Sequence, residues 1–312
     1  MSVSSKPSMR SSDVPVKVVV LGGAGMLGHK MFQVLRERFT ATFCTVREDV
    51  RKPPFDRVEL LHGGDVVPGV DVTDFSALDV VLSACRPEFV LNCVGVIKQR
   101  PEAASPIPSI TINSLLPHKL AEMAARWGGR VIHFSTDCVF NGKRGGYVEE
   151  DPPDAEDLYG KTKFLGEAAV ANALTLRTSI IGRELTEHRS LLDWFLAQNH
   201  QTVRGYRRVI YSGVTTNHLA ELVASIIQRH PGLNGLYQVA SEPISKHDLL
   251  HLLREAYQLD VRIEPDDLEV SDRSMRCDKL HEAIAYKCPP WPVLARQLVE
   301  DNTPYEKWLE WK

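Results

Sequence analysis

The sequence predicts an α/β fold, a doubly wound parallel sheet followed by a smaller, mixed carboxy-terminal lobe. Three observations predict it. Short, β-branched apolar runs alternate with amphipathic helical patterns as far as about residue 182. The runs are apolar at consecutive positions, as strands buried on both faces require. The first of them breaks into a glycine-rich turn that opens a helix, in "VKVVVLGGAGMLGHKMFQVLRERF" from Val16 to Phe39.

Val16 to Leu21 is the first expected strand, and Leu27, Met31, Val34 and Leu35 then recur at helical spacing. A second strand is expected at Thr42 to Val46 and a third near Val70 to Val72. Ser76 to Cys85 reads as a helix that stops before Pro87. "EFVLNCVGV" (Glu88 to Val96) is a buried strand, and a loop with Pro101, Pro106 and Pro108 follows it. Ile112, Leu116, Leu120, Met123 and Trp127 mark a helix that Gly128 and Gly129 end. "RVIHFSTD" (Arg130 to Asp137) is a strand with a polar end. A helix is expected from about Asp157 into the alanines near Ala173, then a strand in "LTLRTSII" (Leu174 to Ile181). Beyond it, helical patterns at Leu191 to Asn199 and His218 to Arg229 mix with short strands, and "GLYQVAS" (Gly235 to Ser241) is placed to return to the main sheet. The reading is a disordered arm over residues 1–15, a nucleotide-type sheet domain over 16–182 and a substrate lobe over 183–312.

Composition narrows the function classes. Across 312 residues, a hydrophobic fraction of 43% with 25% charged residues is ordinary for a soluble chain. A net charge of −3 without a basic cluster points away from nucleic acid and anionic membranes. No apolar run reaches the roughly 18 residues of a membrane span, and "MSVSSKPSMRSSDVP" lacks the apolar core of a signal peptide. The six cysteines form no C-x-x-C pair and read as reduced thiols of a cytoplasmic protein. The 11 histidines suggest no metal site beside a helical acid, and His29, His118 and His133 read as packing or surface residues.

The glycines satisfy G-x-x-G-x-x-G from Gly22 and G-x-G-x-x-G from Gly23. Glycine permits a positive-φ turn and lets backbone N–H groups approach a pyrophosphate with no Cβ in the way, above the positive end of a helix. Gly22, Gly25, Met26, Leu27 and Gly28 are therefore candidate cofactor residues of a Rossmann-type site. About 20 residues on, an acid would hold the ribose 2′-hydroxyl of NAD; here "CTVRE" places Arg47, a cation suited to the 2′-phosphate of NADP. NADP(H) is the preferred cofactor, with NAD(H) held by Glu48 or Asp49 as the alternative. Asp71 and Val72, in "GVDVTD", lie where an acid either accepts from the adenine amine or caps the next helix.

"YGKTK" puts Tyr159 and Lys163 four apart, on one face of a helix. A neighbouring ammonium favours the phenolate and draws the tyrosine down from its ordinary pKa of about 10. Tyr159 is then the candidate proton donor to a ketone that accepts hydride. Upstream, "HFSTDCVF" places Ser135 and Thr136 at the carboxyl end of a strand, where ligands bind in open α/β sheets. A hydroxyl there can donate to the same carbonyl oxygen; the plainer role for Thr136 and Asp137 is to cap a turn.

Glycine turn, strand-end hydroxyl and Tyr-Lys helix, in that order, resemble the extended short-chain dehydrogenase/reductase family. "STDCVFNG", "DLYGKTKFLGE" and "LTLRTSIIG" are similar to the dTDP-4-dehydrorhamnose reductase branch. The resemblance implies that Thr136 bonds the sugar keto oxygen, that Tyr159 protonates it, and that Lys163 holds the nicotinamide ribose. It implies that Cys93 and Gly95 pass close to the cofactor, that Asn113 is a polar anchor, and that the carboxy-terminal lobe holds a nucleotide-sugar. Candidate substrate residues are Lys98, Asp137, Cys138, Arg183, Arg207 and Arg208, with guanidinium suited to a diphosphate. Two positions depart from the branch pattern. Cys138 replaces its tyrosine, and Ile180 replaces its aromatic residue after R-T-S. They keep UDP- or GDP-linked sugars open beside dTDP-4-dehydrorhamnose, and a non-catalytic NADP-binding regulatory subunit is the alternative of another class. The implied pathway feeds cell-surface polysaccharide, and a homodimer is left open.

Overall fold

The computed structural model describes residues 15–97, 105–168, 170–186 and 189–308. Strand β1 (Lys17–Leu21) shows why the sheet is covered twice. Val18 and Val20 point into one apolar cluster with Met31, Phe32 and Leu35 of helix α1 (Met26–Arg38). Val19 and Leu21 point into the other. Consecutive valines serve both faces because side chains alternate along a strand.

The chain continues through β2 (Ala41–Thr45), β3 (Val66–Val67), α2 (Phe75–Cys85) and β4 (Phe89–Asn92). Helix α3 (Pro106–Ser109) runs through a π-helical turn (Ile110–Leu115) into α4 (Leu116–Ala125). Then come β5 (Arg130–Thr136), α5 (Leu158–Leu165) and β6 (Ala173–Thr178). Leu78 and Leu82 of α2 and Leu116 and Leu120 of α4 fill the second cluster, opposite α1.

The rest of the chain builds a further core from β7 (Ile180–Ile181), α6 (Leu191–Leu196), β8 (Thr202–Tyr206) and β9 (Val209–Tyr211), while β10 (Val214–Thr215) pairs with β7 and sends Val214 into the α1 cluster. Helix α7 (Thr216–Arg229) and β11 (Gly235–Gln238) go back to the main sheet. After them come β12 (Ile244–Ser245), α8 (Lys246–Tyr257), β13 (Arg262–Asp266), β14 (Ser271–Asp272), α9 (Asp278–Ile284), α10 (Trp291–Val299) and α11 (Tyr305–Trp308). Leu249, Leu253 and Trp291 pack this lobe against Phe195.

The main sheet has seven parallel strands in the order β11-β6-β5-β4-β1-β2-β3. The strand order reverses between β1 and β4, which opens a crevice at their carboxyl ends.

Two sequence expectations need correction. The third strand is Val66–Val67, not Val70 to Val72. Val70 donates one backbone bond to Val46, and Asp71 then turns the chain by accepting from Thr73. The helix begun near Asp157 stops at Leu165 instead of running on to Ala173, which is a strand residue. Gly166 lies against the π-helical turn, where a Cβ would sit 1.9 Å from the Asn113 carbonyl oxygen. Close backbone packing there overrides the helical propensity of the alanines.

A buried ion pair fastens this region. Arg177 of β6 donates to both oxygens of Glu167, at 2.9 and 2.7 Å, and both side chains are almost wholly buried. Ser135 of β5 donates to the same carboxylate at 2.7 Å. The guanidinium also lies over the Phe140 ring. Removing one partner strands a buried charge, which typically costs about 3–5 kcal/mol. Arg177→Met and Glu167→Leu should each lose that much in denaturant unfolding, and the double variant should lose clearly less than the sum. Simple additivity would show that the two residues stabilise the fold separately.

Candidate active site

The crevice is a cleft of about 420 Å³ lined by the ends of β1, β4, β5 and β6 and by residues of the second lobe. Its first wall is the glycine turn. Gly22 has φ +81°, the left-handed region that favours glycine. The Gly23 N–H bonds the Thr45 carbonyl at 2.8 Å, which ties the turn to β2. A Cβ on Gly28 would lie 2.0 Å from the Gly22 oxygen, so only glycine lets α1 start this close to β1. No side chain caps α1 and its first turn holds no acid. The N–H groups of Met26, Leu27 and Gly28 are the ones a helix start leaves without helical partners. Uncapped donors, a helix dipole and an exposed glycine backbone fit a pyrophosphate.

At the far end of this wall, Arg47 is exposed and ion-paired to Glu48 at 2.9 Å. Its charge reaches Asp71, whose carboxyl is held below its usual range chiefly by bonds from Thr73. Asp74, not Asp71, caps α2. Val72 is buried in the core.

The opposite wall is Asn92 to Ile97, with Cys93 and Gly95 among the lining residues. Burial pushes the Cys93 thiol above its ordinary range. Asn113, inside the π-helical turn, fixes this wall. Its Oδ1 accepts from the Val96 N–H at 2.9 Å, and its Nδ2 donates to the Val96 carbonyl at 3.0 Å.

The floor brings together Thr136, Tyr159 and Lys163. Asp157 caps α5 by accepting from the Gly160 N–H at 2.8 Å. Gly160 then packs so close that a Cβ would meet the Cys138 carbonyl oxygen at 2.2 Å. That approach carries Tyr159 to the end of β5. The Thr136 hydroxyl donates to Asp137 at 3.0 Å and accepts from the Cys138 N–H at 3.1 Å. Both Ser135 and Thr136 line the cleft, but the Ser135 hydroxyl donates to Glu167, and Thr136 is the strand-end hydroxyl beside Tyr159.

Here the electrostatics differ from the sequence expectation. The Tyr159 hydroxyl is pushed above its ordinary pKa, first by burial and then by the neighbouring Cys138 thiol, against a hydrogen bond with Thr136. Burial outweighs any pull from Lys163, whose ammonium is turned to the Phe134 carbonyl at 2.6 Å. Burial lowers Lys163 itself to about 8, partly offset by Glu167. A buried phenol that holds its proton is a general acid in the protonated form.

Of the substrate candidates, Asp137 and Cys138 line the cleft. Asp137 is half-buried, and that burial raises its carboxyl against Thr136, Arg273 and Lys246. Three arginines lie elsewhere. Arg183 is buried between Asp193 at 2.6 Å and Glu306 at 3.0 Å. Arg207 is exposed and donates to Asp267 at 2.8 Å, and Arg208 is exposed beside it. Each arginine is claimed by local packing or solvent and is absent from the cleft lining. Lys98 lies outside the described residues. Sequence reasoning missed Glu184, Arg189, Tyr211 and Lys246, which line the cleft from the second lobe. Lys246 is half-buried, and its charge reaches Asp137. No motif marks these positions, because the lobe's topology brings them in.

A family model described as the RmlD substrate binding domain matches residues 16–297, and the chain belongs to that family. Methionine adenosyltransferase 2 subunit beta of Pongo abelii is 33% identical over 181 residues, covering 54% of this chain and 48% of that protein. The chain thus spans about half the length of that relative. A probable dTDP-4,6-dihydroxy-2-methyloxan-3-one 4-ketoreductase of Streptomyces antibioticus is 27% identical over 70% of this chain and 69% of its own. Among solved structures, the dTDP-4-dehydrorhamnose reductase of Bacillus anthracis in complex with NADP superposes with a TM-score of 0.75 at 18% identity. It covers 91% of this chain and 99% of that one. That likeness concerns the fold.

Lys163 gives a pH test of the floor. Its pKa falls from 10.5 to about 8 on folding, so the unfolded chain binds more protons between those values. The penalty for burying its charge is full below pH 8 and fades as pH rises to 10.5. The stability of the parent protein relative to Lys163→Met should therefore improve by about 3 kcal/mol from pH 7 to pH 10.5. A flat difference in paired denaturant titrations would mean that Lys163 keeps its ordinary pKa in the folded protein.

Proposed function

We propose that this protein is an NADPH-dependent reductase of the 4-keto group of a nucleoside-diphosphate 6-deoxy sugar. The conversion of dTDP-4-dehydrorhamnose to dTDP-L-rhamnose is the reaction to test first. The observation that carries the reading is the meeting of Thr136, Tyr159 and Lys163 on the floor of a cleft whose wall is an uncapped glycine turn.

The dinucleotide, when bound, supplies hydride to the keto carbon. The backbone from Gly22 to Gly28 would hold its pyrophosphate, and Arg47 with Asp71 would meet its adenosine end. Support for NADP comes from Arg47 at the end of β2 and from the Bacillus anthracis neighbour, which is described with NADP. Thr136 would turn its one hydroxyl hydrogen from Asp137 to the carbonyl oxygen, and its acceptor side is already fixed by the Cys138 N–H. Tyr159 would deliver the proton, and its burial keeps that proton in place until charge develops on the oxygen. Lys163 would stabilise the phenolate left behind, with its charge supported by Glu167. Lys246 and Arg189 offer cations from the second lobe for an anionic substrate. Cys138 beside Tyr159 leaves the sugar pocket roomier than a tyrosine would and without its phenol hydroxyl, which keeps UDP- and GDP-linked keto sugars as alternatives.

A second reading is favoured by the relative from Pongo abelii, which is named as a subunit of another enzyme. In it, this chain binds the dinucleotide and serves as a partner without turnover.

The deciding assay follows NADPH oxidation with dTDP-4-dehydrorhamnose generated in situ, with UDP- and GDP-linked keto sugars in parallel. Turnover is expected, and Tyr159→Phe should lower kcat roughly 10²–10⁴-fold while NADPH still binds. An active Tyr159→Phe would remove that residue from the chemistry. Tight NADPH binding without turnover on any of the three sugars would favour the subunit reading.

A further inference from the structure

We propose that the carboxy-terminal segment is a positioning element for the dinucleotide. Tyr305, acting through His29, holds the Gly25–Met26 peptide that faces the pyrophosphate.

His29 lies one turn into α1 and is fully buried. Its Nδ1 is 2.9 Å from the Gly25 carbonyl oxygen, and its Nε2 is 2.8 Å from the Tyr305 hydroxyl. A carbonyl oxygen only accepts, so Nδ1 carries the hydrogen. In the neutral ring Nε2 then accepts, and Tyr305 donates. Burial lowers His29 to about 4, so the ring stays neutral at working pH. The Gly25 oxygen also takes the ordinary helical bond from the His29 N–H, at 3.0 Å. It therefore has two donors.

The other side of that peptide is the Met26 N–H, at the first position of the helix. Met26 lines the cleft. Two donors on one carbonyl polarise the amide and strengthen its N–H as a donor, since bonded amides polarise one another. They also fix the plane of a peptide that no capping side chain orients.

Tyr305 is itself locked. Asp301 pairs with Lys30 at 2.7 Å and accepts from Asn217 of α7 at 3.0 Å. Thr303 accepts from Lys30 at 2.9 Å. The Arg183 guanidinium lies 4.8 Å from the centre of the Tyr305 ring, and Glu306 bonds Arg183. This buried polar network joins a segment more than 270 residues downstream to the helix that begins at the phosphate turn. It gives Arg183 a place in the cofactor end of the molecule.

The inference rests on the dinucleotide reading of the cleft, not on the identity of the sugar. The test measures equilibrium binding of NADPH, by fluorescence, and of adenosine 2′-monophosphate, by calorimetry. The second probe has the adenine and the 2′-phosphate but no pyrophosphate. Tyr305→Phe and His29→Leu should each weaken NADPH about 3- to 10-fold, the double variant should do no more than the worse single one, and adenosine 2′-monophosphate should be unaffected. His29→Asn, which keeps a donor near the Gly25 oxygen, should bind NADPH nearly as well as the parent. Unchanged NADPH binding in the single variants overturns the proposal. So does equal weakening of both probes, or a loss in His29→Asn as large as in His29→Leu. A parent protein that does not bind NADPH removes this proposal and the dinucleotide reading together.

Discussion

One carboxylate organises the floor of the cleft. Glu167 accepts from Arg177 on β6 and Ser135 on β5, and it acts to keep Lys163 charged against burial. Its effect reaches three neighbouring elements, two adjacent strands and the helix bearing the Tyr-Lys pair. A carboxylate this deep is unstable in apolar surroundings unless its oxygens are satisfied. The bidentate guanidinium does that and in turn leans on Phe140. Because the pair is worth little as net stability but costs much to break, its main effect is on geometry: it allows one arrangement of β5, β6 and α5. The Ser135 hydroxyl is committed to Glu167 by this arrangement although the residue lines the cleft, and the Thr136 hydroxyl lies beside Tyr159.

The two ends of the cleft are built by different physics. The phosphate end is built by omission. Gly22, Gly25 and Gly28 bring bare backbone together, and a single Cβ on Gly28 would collide with it. The chemical end is built by burial. Thr136 and Lys163 are buried and Tyr159 and Asp137 half-buried, and the proton affinities of Tyr159, Lys163 and Asp137 move accordingly. Asn113 stands between the two ends. Its amide closes on the Val96 backbone, and its own carbonyl backs onto Gly166 at the end of α5. A π-helical turn at that point spends an extra residue to aim the amide at the wall.

What was legible in the sequence was what local chemistry dictates. The glycine spacing, the consecutive valines and the Tyr-Lys interval each follow from backbone geometry within a few residues, and the doubly wound sheet follows from their order. Residues whose roles are set by distant parts of the chain were not legible. Arg183 reads as a phosphate ligand by its charge, but Asp193 and Glu306 claim it from 10 and 123 positions away. His29 reads as packing, yet its two ring nitrogens join the phosphate turn to Tyr305. Lys246 carries no motif, and only the return of the second lobe over the sheet brings it to the cleft. The end of α5 was overextended for a related reason. Alanine favours a helix locally, while the approach of Gly166 to Asn113 is a tertiary fact.

The protonation states of the floor bear on the direction of the proposed chemistry. A Tyr-Lys pair is usually imagined with the ammonium pulling the phenol toward ionisation. In this cleft, burial disfavours both charged forms, so it raises Tyr159 and lowers Lys163. The two shifts have opposite consequences for catalysis. A raised phenol stores the proton that ketone reduction consumes, whereas abstraction from an alcohol would need the phenolate that burial disfavours. Lys163 at about 8 still carries its charge at neutral pH, so a phenolate formed by proton transfer would find a counter-charge on the same face of α5. The resting site therefore holds the proton that ketone reduction consumes, while the same burial makes Tyr159 a weaker acid until charge develops on the accepting oxygen. Through Lys163, the buried Glu167–Arg177 pair is thereby connected to the charge balance of the floor as well as to the shape of the fold.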